Sequence, residues 1–379
     1  MFSEPHGFGR TARRSSGLAV IRRPTASARH RKLAGKSTRT SADVHVIICI
    51  SNKTCVQIEI VTRNGTGASS RLHTGAQPAA ATADAADEPN LLAGQAAGEN
   101  FPVALRLLPA RRRVHLTAVY GFARTVDDIG DEAPPEQRLR LLEELEADLD
   151  RLYARYGSNN AGSGGDDSSG GDGEEPRSRV VRALAPTVAD CAIPMQPFLD
   201  LIAANRQDQV VSRYPTFQDL LGYCRLSANP VGRIVLQVFD SFSQQRAELS
   251  DSVCTALQLA EHWQDVAEDL SAGRIYVPAA DMETYGCTEQ DLAQAAAPPP
   301  VRALMAFETG RAKATLDAGA PLIGMLRGSA RVAVAGYVAG GRAALAAIAA
   351  ADHDVLRATP RPRKRRLAGE LILAYARGR

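Results

Sequence analysis

Residues 114–132 read VHLTAVYGFARTVDDIGDE, and residues 258–269 read QLAEHWQDVAED. Within each stretch, acidic residues recur at intervals of four. The acids in this spacing are Asp127, Asp131, Glu261, Asp265 and Asp269. Because residues four apart share one face of an α-helix, each stretch predicts a helix that carries its acids on a single face.

The two acidic faces predict a site for a divalent cation. Like charges at this spacing weaken a helix by about 0.2–0.5 kcal/mol per pair, and a bound cation compensates for this cost. Mg²⁺ prefers oxygen ligands and is commonly held by one or two carboxylates together with substrate phosphates. The alternative is that the acids are solvated charges on exposed helices. The apolar segments 114–122 and 253–259 argue against that alternative, because they favour buried helices.

Helical periodicity dominates the chain after residue 90 and predicts an all-α fold. Apolar residues recur every three or four positions in segments 103–123, 139–153, 180–192, 197–205, 217–226, 230–239, 252–270, 301–326 and 330–351. We expect a helical catalytic domain over 91–355, with a flexible inserted loop at 157–176 and a basic C-terminal tail at 356–379. Segment 332–351 is long enough to span a membrane, but Arg342 interrupts it, so a buried core helix is predicted.

The first 90 residues differ in composition from the rest. The first forty contain ten Lys or Arg and one acid, which predicts a disordered basic extension and also resembles the bias of a transit peptide. Two β-branched runs around residues 51–53 are compatible with a hairpin, but nothing nearby would cover it, so a weakly ordered extension is expected. The formal net charge of +3 gives no support for a nucleic-acid partner, and six isolated cysteines fit a reducing cytoplasm better than a disulfide scaffold.

Several blocks resemble the squalene and phytoene synthases. The matching blocks are 99–104 (ENFPVA), 120–132 (YGFARTVDDIGDE), 258–269 and 273–278 (GRIYVP). Blocks 205–209 (NRQDQ) and 223–233 (YCRLSANPVGR) look like the hydroxysqualene synthase branch of that family, and the similarity runs from about residue 99 to about residue 348.

The resemblance implies an isoprenoid-synthase helical bundle with a central apolar cavity, in which presqualene diphosphate and water give hydroxysqualene and diphosphate. It implies Mg²⁺, with Mn²⁺ as an alternative. The implied catalytic residues are Asp127, Asp131, Asp265, Asp269 and Tyr223, and the four aspartates are also implied metal ligands. The implied substrate-binding residues are Arg124, Gln258, Arg233, Arg274, Tyr276 and Asn229.

Two positions depart from the family pattern. Glu261 stands where Asn is usual, and we expect it to serve as a further oxygen ligand to the metal. Leu105 replaces a small hydroxyl residue near the amino end of the match. Both departures fall where diphosphate or metal is expected to bind.

Other functions within the resemblance stay open. One is head-to-head condensation of prenyl diphosphates to squalene or phytoene, and another is a non-catalytic assembly factor, which the four intact aspartates disfavour. No glycine-rich nucleotide fingerprint is present, so no NADPH is expected. The expected partners are a prenyl diphosphate substrate, the presqualene diphosphate synthase and downstream oxidoreductase of the same pathway, and the inner face of the membrane through peripheral contact, but no nucleic acid.

Overall fold

The computed structural model describes residues 108–157 and 174–378, and the backbone of two strands nearer the amino end. The described domain is all-α, as predicted. In chain order its helices are α1 (Ala110–Asp131), α2 (Pro135–Tyr156), α3 (Arg179–Arg182), α4 (Ala185–Cys191), α5 (Gln196–Asp208), α6 (Phe217–Ser227), α7 (Asn229–Val238), α8 (Gln244–Gln264), α9 (Val266–Ser271), α10 (Ala279–Thr284), α11 (Glu289–Leu292), α12 (Pro299–Gly319), α13 (Leu322–Met325), α14 (Gly328–Ala350) and α15 (Lys364–Arg377).

The two strands form a hairpin. Strand β1 (Val44–Cys49) pairs antiparallel with β2 (Cys55–Ile60), with Ile48 opposite Val56. The hairpin is regular structure inside the segment predicted as a disordered extension. The remainder of residues 1–90, together with Leu105 and residues 158–173 of the predicted loop, lies outside the described residues.

Two predicted helices are each divided in the structure. The segment 301–326 becomes α12 and α13, and Pro321 lies at the junction, where its missing N–H and its ring disfavour a continuous helix. The segment 252–270 becomes α8 and α9, with the division at Asp265. Proline at a helix start is well tolerated, and α12 accordingly begins at Pro299.

The segment expected to be a basic C-terminal tail contains a helix, α15. Its residues Leu367 and Ala374 are buried, and both lie on the face that meets the core. Arg331 of α14 donates a hydrogen bond from Nη2 to the backbone oxygen of Tyr375 at 2.9 Å. The chain therefore continues to pack on the bundle beyond residue 355, where the sequence pattern predicted an end.

The core consists of two apolar clusters. One is built mainly on α1, α2 and α5, where Phe122 and Phe198 meet edge to face with ring centroids 5.1 Å apart. The other is built mainly on α8, α12 and α14, around residues such as Trp263 and Leu316. Each cluster buries one face of the helices that carry the acidic residues, so the two acidic stretches are held by opposite halves of the bundle.

Helix α14 is a core helix, as predicted. Of the described helices, it alone is long and apolar enough to cross a membrane, and most of its apolar window is buried inside the protein. Arg342, which interrupts this window, donates to Asp317 of α12 at 2.7 Å. The arginine is thus satisfied by a neighbouring helix within the bundle.

A buried charged network ties α12 to two other helices. Glu308 is fully buried, and Arg311 donates to both of its carboxylate oxygens at 2.7 Å. The same guanidinium donates to Asp281 of α10 at 2.6 Å and lies 3.5 Å above the ring of Phe217 of α6. Burial raises the pKa of Glu308 to about 7, although the hydrogen bond from Arg311 acts in the opposite direction.

Candidate active site

A cavity opens between the two apolar clusters and receives both acidic stretches. Its empty volume is about 640 Å³, including the space at its open mouth. It is lined by Asp127, Asp131, Leu201, Ala204, Asn205, Asp208, Tyr223, Ser227, Gln258, Glu261, His262, Asp265, Asp269, Arg274 and Tyr276. Six of these residues carry a carboxyl group and one is an arginine, so the cavity is suited to cations.

The first acidic face lies on α1, where Asp127 and Asp131 line the cavity together. Asn205 of α5 donates a hydrogen bond to Oδ1 of Asp127 at 3.2 Å. The pKa of Asp127 is raised to about 7, mainly by burial and to a smaller extent by the neighbouring carboxylates of Asp131 and Asp208, whereas the Asn205 hydrogen bond acts to lower it. A carboxyl group held in this way gains from a nearby positive charge.

Gly130 leaves room for the side chain of Asn205 beside this face. A Cβ atom at position 130 would lie 2.2 Å from Oδ1 of Asn205, which is too close for any real contact. The glycine between the two aspartates therefore provides the space from which Asn205 reaches Asp127. The absence of a side chain at position 130 therefore determines how Asn205 packs against α1.

The second acidic face spans the division between α8 and α9. Asp265 has φ −106° and ψ 17°, so α8 ends and α9 begins at this residue, and the single continuous helix predicted over 252–270 is wrong. Backbone N–H groups of Asp265 and Asp269 still donate to the oxygens of Glu261 and Asp265, at 3.0 and 2.8 Å. The spacing by four consequently survives the division, and all three acids are buried along the cavity wall.

Arg274 joins the two faces. Its Nη2 donates to Oδ1 of Asp131 at 2.9 Å, across 143 residues of sequence. Gly273 has φ +81°, a left-handed conformation that glycine adopts without strain, and it turns the chain back after α9. The backbone N–H of Arg274 then donates to the oxygen of Asp269 at 2.8 Å. Arg274 is therefore fixed at the cavity by the turn as well as by its ion pair.

Asp208 is a site residue that the sequence analysis did not single out. The hydroxyl of Tyr223 donates to Oδ2 of Asp208 at 2.8 Å, and within the described structure Oδ1 of Asp208 is buried without a hydrogen-bond partner. Burial raises the pKa of Asp208 to about 6, opposed by the charge of Arg274. The sequence signal that could have identified Asp208 is block 205–209, in which Asn205 and Asp208 are three residues apart and therefore lie on one face of α5.

Aromatic rings form the wall beside the acids. His262 and Tyr276 stack with ring centroids 3.7 Å apart and planes 16° apart, and Tyr223 lies 5.7 Å from Tyr276. Gln258 Nε2 and His262 Nε2 are 3.2 Å apart. Burial raises the pKa of both tyrosines, so their hydroxyls remain protonated donors at neutral pH.

Three of the implied substrate-binding residues do not line the cavity. Arg233 is paired with Asp251 at 2.7 and 3.0 Å, on the outer side of α7. Asn229 is buried and accepts a hydrogen bond from Thr255 at 2.9 Å, so it connects α7 to α8. Arg124 donates to Asp128, one turn further along α1, at 2.7 Å. Each of these three side chains contacts a partner outside the residues that line the cavity, and its expected role in substrate binding stays a prediction.

The remaining expected residues do converge on the cavity. They are Asp127, Asp131, Tyr223, Gln258, Glu261, Asp265, Asp269, Arg274 and Tyr276.

The donor set fits Mg²⁺ or another hard divalent cation. All six acidic side chains offer oxygen, which such cations prefer, and an unsatisfied buried oxygen of Asp208 faces the same space. Within the described residues, no three His, Cys, Asp or Glu side chains are arranged to hold an ion unaided.

These features define an all-helical domain with a cavity rich in carboxyl groups, suited to an anionic ligand accompanied by a metal. The chain belongs to the squalene/phytoene synthase family, whose model matches residues 95–368. The members of this family are enzymes that act on prenyl diphosphates and generally depend on divalent metals.

Three proteins of known name are similar to this chain in sequence or structure. A hydroxysqualene synthase from Zymomonas mobilis is 36% identical over 219 residues, which cover 57% of this chain and 66% of the relative, just under two thirds of its length. A hydroxysqualene synthase from Sinorhizobium fredii is 31% identical, over 60% of this chain and 72% of the relative. The crystal structure of squalene synthase HpnC from Alicyclobacillus acidocaldarius superposes with a TM-score of 0.61 at 39% identity, over 70% of this chain and 94% of that chain.

Proposed function

We propose that the protein converts presqualene diphosphate and water to hydroxysqualene and diphosphate, in a reaction that requires Mg²⁺. The observation that carries the proposal is the meeting of two acidic faces and Arg274 in one cavity. The similarity to two hydroxysqualene synthases supports this product over others of the family.

The proposed ligands to the metal are Asp127, Asp131, Glu261, Asp265 and Asp269. When bound, Mg²⁺, or Mn²⁺ in its place, supplies positive charge that offsets both the carboxylates and the diphosphate. Without such compensation, a diphosphate beside six carboxyl groups would be repelled, since unit charges 4 Å apart interact by about 4 kcal/mol at an effective dielectric constant of 20.

The chain's own residues then bind and orient the leaving group. The guanidinium of Arg274 lies beside Asp131, where it can donate to a diphosphate oxygen as the carbon–oxygen bond breaks and the electron pair leaves with the diphosphate. Gln258 presents its amide to the same space. Arg124, Arg233 and Asn229 do not line the cavity, and the proposal does not depend on them.

The aromatic wall stabilises the carbocation that remains. The face of the Tyr223 ring carries partial negative charge, and a cation beside such a face gains about 0.5–2 kcal/mol. The hydrogen bond from Tyr223 to Asp208 fixes the orientation of the ring. Water adds its oxygen to the rearranged cation and loses a proton, which gives the hydroxyl group of hydroxysqualene without any reductant, so no NADPH is proposed.

Two other functions compete with this proposal. Head-to-head condensation to squalene or phytoene belongs to the same family and uses the same acidic faces. A non-catalytic assembly role is disfavoured because all four central aspartates line the cavity. We also propose a cytoplasmic protein in peripheral contact with the membrane, since its product is apolar, and partnership with the presqualene diphosphate synthase and the oxidoreductase of the pathway.

Product identification tests the proposal. Purified protein is incubated with Mg²⁺ and either presqualene, farnesyl or geranylgeranyl diphosphate, without reductant, and the extracts are analysed by mass spectrometry. Hydroxysqualene from presqualene diphosphate is the expected result. Conversion of farnesyl or geranylgeranyl diphosphate without conversion of presqualene diphosphate would support a condensing enzyme instead, and inactivity with all three substrates would favour the assembly role.

A further inference from the structure

Helix α15 has two apolar faces, and only one of them is used by the core. Leu367 and Ala374 are each 1% exposed against the bundle. On the other side, Ile372 is 69% exposed and Leu373 is 45% exposed. A helix that needed only to cap the bundle would place polar residues at these outer positions.

Basic residues surround the exposed apolar pair. Residues 361–377 contain six Lys or Arg and one acid, Glu370, which lies 3.9 Å from Arg366. Arg365 is two turns before Ile372 on the same face, and Arg377 is one turn after Leu373. The outer face of α15 thus combines two exposed apolar side chains, Ile372 and Leu373, with a surrounding margin of positively charged residues.

Helix α14 contributes further positive charge beside this face. The guanidinium of Arg331 lies 4.6 Å from the ring centroid of Tyr375, and Arg327, the residue that immediately precedes α14, is exposed. Tyr375 itself is 37% exposed. An aromatic ring with a polar end beside a cation is typical of residues that lie at the boundary of a lipid headgroup layer.

We infer that the outer face of α15 docks on the surface of an anionic lipid bilayer, with Ile372 and Leu373 inserted below the headgroups and the arginines beside the phosphates. The inference rests on the membrane contact included in the proposed function and identifies the surface that makes it. A second copy of the chain is disfavoured as the occupant, because pairing this face with itself would bring two strongly positive margins together. Lipid phosphates supply the complementary charge.

Tryptophan fluorescence tests the docking directly. The natural chain has one tryptophan, Trp263, which is fully buried and gives a constant background. In the full-length variant Ile372→Trp, the added fluorophore should shift its emission to the blue on mixing with vesicles of phosphatidylcholine and phosphatidylglycerol. The matched control is Val210→Trp, at a position 79% exposed between α5 and α6, which should show no shift.

A measurement of vesicle binding shows how much the two exposed apolar side chains contribute to the affinity. The double variant I372Q/L373Q should lower the partition coefficient onto these vesicles at least about tenfold, and Val210→Gln should leave it unchanged. Each basic residue at the surface is expected to contribute about fivefold, so pure phosphatidylcholine vesicles and high salt should weaken binding. Thermal unfolding of each variant verifies that the fold is kept.

The inference is overturned if Ile372→Trp shows no shift, if its shift equals that of Val210→Trp, or if I372Q/L373Q binds the vesicles as the natural chain does. A change of oligomeric state in the double variant, with vesicle binding unchanged, would identify a self-contact instead. None of these readouts requires turnover, so a failure of the docking is distinguishable from a failure of the proposed reaction.

Discussion

Replacing Gly130 by alanine places a methyl group where Asn205 now lies. The added Cβ would be 2.2 Å from Oδ1 and 3.1 Å from Cγ of Asn205, so the amide must move by about 1 Å or more, given ordinary contact distances of about 3.5–4.0 Å. That movement breaks the hydrogen bond from Asn205 to Asp127. The substitution therefore disturbs the first acidic face without removing a carboxylate.

The matched control is Gly121→Ala on the same helix. A Cβ atom at position 121 would meet Cγ2 of Val180 at 3.5 Å, an ordinary contact. Alanine is favoured over glycine inside a helix by about 1 kcal/mol, so Gly121→Ala should raise the free energy of unfolding by up to that amount. Overpacking costs about 1–3 kcal/mol, so Gly130→Ala should be about 1–3 kcal/mol less stable than Gly121→Ala.

Urea unfolding and the Mg²⁺ dependence of turnover check this expectation. Gly130→Ala should need more Mg²⁺ for half-maximal turnover than the natural chain, because Asp127 is no longer held in place, whereas Gly121→Ala should match the natural chain. Equal stability of the two alanine variants, together with a normal Mg²⁺ requirement for Gly130→Ala, would refute the packing argument.

Three further outcomes are expected. Glu261→Ala should need much more Mg²⁺ than Glu261→Asn, since the amide keeps an oxygen ligand, and an equal requirement in the natural chain and Glu261→Ala would exclude a ligand role. Deletion of residues 1–88 should leave the unfolding midpoint and turnover unchanged, because the family match begins at residue 95, and an insoluble or inactive truncated chain would contradict this. The raised pKa of Glu308 means that the folded chain holds a proton which the unfolded chain, with an ordinary value of 4.5, releases. The contribution of Glu308 to the free energy of unfolding is therefore greatest below about pH 4.5, and it falls by about 3 kcal/mol as the pH rises through about 7. Urea unfolding across this range should show that loss in the natural chain and not in Glu308→Gln, and parallel pH profiles would rule it out.

The sequence predicted the acidic faces well because their information is local. A spacing of four places side chains on one helix face whatever the rest of the chain does, and Asp127 and Asp131 accordingly line the cavity together. The spacing at Glu261, Asp265 and Asp269 survives even though the helix is divided, because the backbone hydrogen bonds across the division keep the same interval.

Residues whose placement depends on distant contacts were less predictable. Arg233 turns outward because it pairs with Asp251 on another helix, and the sequence around Arg233 does not indicate that partner. Asp208 was missed because it is a single acid without a neighbour four residues away, and it joins the site only through the packing of α5 against α1. Helix α15 was missed because the basic residues at its start dominate the composition of this segment. Its apolar face is recognised only from the structure, in which Leu367 and Ala374 are buried against the core.

The most direct test of the central claim compares two adjacent aspartates. Asp127 lines the cavity, whereas Asp128 is 41% exposed by its side chain and pairs with Arg124. Diphosphate release from presqualene diphosphate in the presence of Mg²⁺ is measured for Asp127→Asn and Asp128→Asn, with circular dichroism to verify helical content. We predict that Asp127→Asn loses turnover by orders of magnitude while Asp128→Asn remains close to the natural rate, and that Asp265→Asn behaves like Asp127→Asn. Turnover of Asp127→Asn at the natural rate, or equal losses in the two neighbouring variants, would contradict the claim that the opposed acidic faces act on the diphosphate.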